Sequence, residues 1–251
     1  MTTIPTTTET AEPPRKNVLQ RIAGVLFAPA ETFADIARRP AILGPALVLL
    51  IVGYLSTAIA MPRFDFDALT AMQREKILKQ NPQMAEKDLE RMDRYAIAGT
   101  KVFVWCAPVL MFAWYAIVAA VLLFAFRLMG GEGTYKQAYS ATLYAWMPML
   151  ILGIIGSIVV IARGSFDPTT AQTLVKSNPA FLVEMKEQPV LFSFLASFDL
   201  FGMWMVVLLA FGFAALSRMR LRTALAIVIP LWLAFVLVRL GFTAMGAARM
   251  G

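Results

Sequence analysis

"VFVWCAPVLMFAWYAIVAAVLLFAF", Val102 to Phe126, runs for twenty-five residues without a charged side chain. A helix of about 20 predominantly apolar residues is long enough to cross the hydrocarbon of a bilayer. Four further long apolar stretches occupy 41–60, 138–162, 191–216 and 223–246, the last two with one charged residue each. The fold class expected is therefore all-α: a polytopic membrane protein with five transmembrane helices, N-terminal interfacial helices and two outer helical loops. Pro45, Pro108, Pro148 and Pro230 fall inside four of the runs. Spanning helices tolerate proline, because neighbouring groups satisfy the carbonyls it frees.

Composition agrees. The chain has 251 residues, 59% hydrophobic and 16% charged, with a mean hydropathy of +0.67. Soluble domains carry about 45–50% apolar and about 25% charged residues. The net charge is +7, but the basic residues lie at the edges of apolar runs. That pattern belongs to the flanks of membrane spans and not to a nucleic-acid surface. There is no histidine, and Cys106 is the only cysteine. An intrachain disulfide is thus excluded, as is a histidine-based triad. The usual zinc and haem ligand sets are missing, so no metal and no cofactor is expected.

Charge near the short connections sets the expected orientation. "SRMRLR", Ser217 to Arg222, carries Arg218, Arg220 and Arg222 and no acid, and Arg38 and Arg39 precede the first span. Lys and Arg near span ends favour the cytoplasmic side. With five spans this places the N-terminus in the cytoplasm and the C-terminus in the periplasm of a bacterial inner membrane. Residues 1–14, rich in Thr and Pro, read as a disordered tail, with no signal-peptide core. Residues 15–40 read as two short amphipathic helices along the cytoplasmic membrane face. In the first, Val18, Ile22 and Leu26 recur at a spacing of four, facing lipid or the span bundle. In the second, Pro29 suits a first helical position, with Arg38 and Arg39 in the last turn.

The two long connections share a phrase. Phe66-Asp67 to Lys79-Gln80-Asn81-Pro82 is answered by Phe166-Asp167 to Lys176-Ser177-Asn178-Pro179. The chain then reads as span, phrase, span, twice over, plus one extra span: a parallel repeat. Asn-Pro reads as a helix start in both. Two helical hairpins packed on each other outside the membrane are expected.

Asp199 and Arg239 are the ionisable groups deepest inside the runs, and each is costly alone in hydrocarbon. They fall at matching depth on runs joined by a short turn. A structural ion pair is the first reading; a proton or substrate relay and independent snorkelling are the others. Gly153 and Gly156 in the third run, and Gly241 and Gly246 in the fifth, suit close helix contacts.

Three stretches in order, "PAETFADIARRP" (Pro29–Pro40), "GGEGTYKQAYSATLYAWMPMLI" (Gly130–Ile151) and "DLFGMWMVVLLAFGFAAL" (Asp199–Leu216), resemble the Yip domain, or Ypt-interacting-protein, family in its bacterial form. Gly130, Gly131, Gly133, Tyr135, Pro148, Phe201 and Trp204 carry the resemblance as a structural motif. It implies five spans, a cytoplasmic N-terminus and no catalytic residues. The eukaryotic link to Rab-type GTPases does not carry over to a bacterial chain. The function expected is a non-enzymatic membrane scaffold or organiser in the lipid bilayer, working as a homo-oligomer or with a membrane-protein partner, and without nucleic acid. The alternative is a small transporter or channel with its site around Asp199 and Arg239.

Overall fold

Caps decide where the helices start. The computed structural model describes residues 16–248, so the expected tail 1–14 lies outside the described residues. Asn17 opens α1 (Val18–Phe27) with a reciprocal box: its side chain accepts from the Gln20 N–H at 2.8 Å, and the Gln20 side chain accepts from the Asn17 N–H at 2.9 Å. Two otherwise unpaired donors are satisfied this way. Pro29 is the first residue of α2 (Pro29–Arg38), where its missing N–H costs no helical bond. Then come α3 (Leu43–Ala60), α4 (Phe66–Gln80), α5 (Glu86–Leu128), α6 (Tyr135–Ala145), α7 (Met147–Arg163), α8 (Pro189–Ala196), α9 (Leu200–Ser217) and α10 (Leu221–Ala248).

Among the described residues, five segments are long and apolar enough to cross a membrane: Leu43–Arg63, Glu86–Leu128, Tyr135–Arg163, Leu200–Ser217 and Leu221–Ala248. Two of the expected runs are not continuous helices. The third is divided at Trp146 into α6 and α7, with Pro148 in the first turn of α7. The fourth breaks between α8 and α9, and Asp199 stands at the break as the cap of α9.

One end of the bundle, the proximal end, gathers α1, α2, the α5–α6 turn and the α9–α10 turn. Arg218 Nη1 lies 3.3 Å from Glu132 Oε2 and so links the two turns. α2 packs along α9 and buries Thr32, Phe33, Asp35 and Ile36. Gly212 of α9 makes room for it, since a Cβ there would stand 3.1 Å from both the Phe33 ring and Ala141. The core continues through Phe126, Leu143, Tyr144, Leu208 and Phe213. α2 is thus part of the packed body and not a helix resting on it. On α1, Val18, Ile22 and Leu26 are half-buried, while Leu19 (72%) and Phe27 (87%) project outward.

At the distal end the two repeated phrases differ. The first forms α4, capped by Asp65, whose carboxylate accepts from the Ala68 N–H at 2.8 Å. Asn81 ends that helix and does not start the next, which opens at Glu86 after Ala85. The reason is the intervening turn, where the Met84 N–H donates to Asn81 O at 3.2 Å. The second phrase holds only 3-10 turns, Pro168–Thr173 and Pro179–Leu182. The expected second helical hairpin is therefore not formed. The phrases do meet where they begin. Phe64 and Phe166 form a parallel bridge: the Asp65 N–H donates to Phe166 O at 3.1 Å and the Phe166 N–H to Arg63 O at 3.0 Å. Their rings stand edge to face at 5.5 Å. The register of the contact thus aligns Phe166 with Phe64, not with Phe66.

Beyond the apolar body, α4 and the distal part of α5 form a hairpin. Arg74 joins them, with Nε 2.6 Å from Asp93 and Nη1 2.7 Å from Glu86. The two carboxylates hold the Arg74 guanidinium firmly in its charged form, moving its pKa upward.

Candidate functional site

The break at Asp199 organises the most distinctive region of the molecule. A helix that starts inside a bundle leaves its first N–H groups without partners. Asp199 supplies one oxygen to two of them, accepting from Phe201 N at 2.9 Å and Gly202 N at 3.1 Å. Its other oxygen accepts from the Ser177 hydroxyl and, at 3.5 Å, from the Asn178 amide. The Leu200 N–H also donates to Ser177 O at 3.0 Å. Asn178, itself buried, caps the 3-10 turn that follows it by accepting from Ala180 N at 3.1 Å, and donates to Gln172 O at 3.1 Å. The second phrase therefore folds back from Phe166 at the distal end into the bundle and is stitched to the broken helix.

A cavity of about 350 Å³ lies between this returning segment and α7. Met149, Leu152, Gly153 and Gly156 form its α7 wall, and Leu174, Val175, Ala196 and Asp199 face them. Gly156 and Leu152 are seven and eleven residues short of Arg163 at the distal end of α7, roughly 10 to 16 Å at the helical rise. The expected role of Gly153 and Gly156 in close helix contact is not what the geometry gives. A Cβ on Gly153 would meet nothing nearer than Ser56 Oγ at 3.8 Å, and one on Gly156 nothing nearer than Val175 at 3.9 Å. Gly241 and Gly246 have open space around them.

Asp199 and Arg239 are not brought together. Arg239 Nη2 donates to the Ser193 carbonyl, and Thr243 Oγ1 lies 3.4 Å from the Ser193 hydroxyl. The helix break explains the separation. It commits both Asp199 oxygens to chain donors, while Arg239 meets α8 six residues away from Asp199. The ion-pair expectation is corrected accordingly.

The other motif residues are spread over the proximal turn, α6, α7 and α9. Gly130 (φ +82°) and Gly133 (φ +121°) adopt conformations that side chains rarely take. Gly131 lies against Phe126 O and Ser217, and Gly133 against Leu216. Tyr135 stacks on Tyr139 and donates to Ala116 O at 3.1 Å. Pro148 is buried, Phe201 provides one of the amides on Asp199, and Trp204 is exposed on α9.

A buried ion pair escaped the sequence reading. Arg21 Nε and Asp35 Oδ2 are 2.9 Å apart, with side chains only 3% and 11% exposed. Arg21 Nη1 also donates to Arg39 O at 3.0 Å. The signal was present in the helical register. Arg21 lies on one face with Val18 and Val25, and Asp35 on one face with Thr32 and Ile36, where a solvated charge is out of place.

The Yip1 domain profile matches residues 23–242. Among curated proteins, a Bacillus subtilis (strain 168) protein titled "Membrane protein YknW" is 24% identical over 191 residues, covering 75% of this chain and 75% of that protein. No solved structure matches the chain significantly.

Proposed function

The chain belongs to the Yip1 domain family, and from that premise we propose that this integral membrane protein is a non-enzymatic organiser of other membrane proteins in a bacterial inner membrane. The observation that supports an organiser over a channel is the state of Asp199. A proton or substrate relay centred on Asp199 needs that acid free to exchange partners. Both oxygens of Asp199 are taken up by donors of the chain itself. The α4–α5 hairpin is the surface offered to a partner, since Tyr95, Met92 and Leu78 remain exposed on it. The basic proximal end, with Arg127, Lys136, Arg218, Arg220 and Arg222, faces the cytoplasm in this reading.

The test is photo-crosslinking in native membranes with a reactive residue at Tyr95 or Leu78. A discrete protein adduct, either a second copy of this chain or one membrane partner, is the expected result. Labelling by lipid and water alone, together with solute flux in vesicles that Asp199→Asn abolishes, would replace the organiser with a transporter.

A further inference from the structure

Non-helical backbone at membrane depth is tolerated where it is buried in protein or lines a cavity. The 171–178 segment lines one, with Val175 beside Gly156 of α7, and closes one side of the 350 Å³ cavity. Of the four polar side chains that line the cavity, three are engaged: the Ser177 hydroxyl by Asp199, the Asn178 amide by Gln172 O and Asp199, and the Asp199 carboxylate by four chain donors; the fourth, Gln172, is an exposed neutral amide. A polar solute would find no charge to pair with there. The remaining wall, Met149, Leu152, Leu174 and Val175 with the bare faces of Gly153 and Gly156, is apolar. Beside it on α7, Ile154, Ile158 and Ile161 are exposed, so the apolar surface runs on from the cavity along the outside of the bundle. An apolar cavity of about 150 Å³ holds benzene, and by proportion one of this size takes a chain of about a dozen carbons.

From these features we infer that the cavity is a binding site for one acyl chain of a membrane phospholipid, inserted between α7 and the 171–178 segment. The two glycines are what give it depth. The inference goes beyond the organiser role and does not depend on it, because its readout is lipid and not protein.

The experiment uses the full chain in nanodiscs of phosphatidylethanolamine and phosphatidylglycerol. They are doped with a phospholipid carrying a diazirine midway along one acyl chain. After irradiation, adducts are mapped by mass spectrometry. Wild type should carry adducts on peptides 149–156 and 171–178 as well as on the exposed α10 residues Leu237 and Phe242. Gly156→Leu, which fills the cavity, should lower the cavity adducts by an order of magnitude and leave those on α10 unchanged. Ala171→Leu on the exposed segment provides the same block from the other wall, should Gly156→Leu fail to fold. Absence of wild-type adducts at 149–156 and 171–178, or adducts there that neither variant reduces, would overturn the inference.

Discussion

Asp199 caps a helix, so its substitutions should rank by capping ability and not by charge. Asp199→Asn should stay within about 0.5 kcal/mol of wild type in a detergent unfolding titration, whereas Asp199→Ala should lose about 1–2 kcal/mol. Arg239→Gln should add independently to either, because the two side chains share no partner. A non-additive Asp199–Arg239 cycle would restore the ion pair. Coupling belongs instead to Arg21 and Asp35. Removing one member of a buried pair strands the other charge, so Arg21→Met and Asp35→Leu should each cost about 3–5 kcal/mol, and the double variant should regain much of it. The same titration checks this. Charge inside an apolar run is conspicuous to the reader, which is why Asp199 and Arg239 drew attention. Arg21 looked ordinary because its stretch is short and mixed, and its burial is created by α2 and by Tyr144 of α6, which is distant in sequence.

Helices, once formed, expose the limits of reading polarity alone. The five apolar runs were legible because burial in lipid demands length and low charge, and those are sums over many residues. Hydropathy passed over the α8–α9 break for the same reason: Asp199 is one polar residue in an apolar window, although Asp followed by a helix is itself a cap signal. Asn-Pro was read as a start in both phrases, yet Asn81 closes α4 while Asn178 caps a turn, since the dipeptide marks a boundary without fixing its direction. The turn between α5 and α6 gives a sharper expectation. Gly133→Ala should destabilise more than Gly130→Ala, although both have positive φ. A Cβ on Gly133 collides with Leu216, and one on Gly130 meets open space. Thermal stability in detergent decides it. On the distal hairpin, Arg74→Ala should raise hydrogen exchange across 66–96 while shifting global stability by no more than about 1 kcal/mol, as befits partly exposed ion pairs.

For the whole molecule, the two phrases touch where they begin, outside the register of the expected repeat, and differ along their length. Phe64 and Phe166 meet side by side, but only one phrase grew a helix, and the other turned back to complete the bundle around Asp199. Pro168 and Pro179 each open a 3-10 turn, so only about ten residues separate two starts, fewer than a helix without tertiary support needs. Orientation is tested with single cysteines in a Cys106→Ser background. Gln83→Cys should react with a membrane-impermeant maleimide in spheroplasts, and Glu132→Cys only after permeabilisation. The reverse pattern would invert the proposed topology while leaving the fold intact.

α5 runs for 43 residues without interruption, about 65 Å at the helical rise, and Pro108 lies near its middle. Proline removes one rung of the hydrogen-bond ladder, so bending concentrates there. Its ring rests against Gly53 of α3, where an added Cβ would be 3.3 Å away. The geometry is that of a lever on a pivot. A bend of about 10° at Pro108 would swing Glu86, about 33 Å up the axis, sideways by roughly 6 Å. The arms on either side of Pro108, 86–108 and 108–128, are about 33 and about 30 Å long, so a displacement of the hairpin tip would return at the proximal end at about its own size.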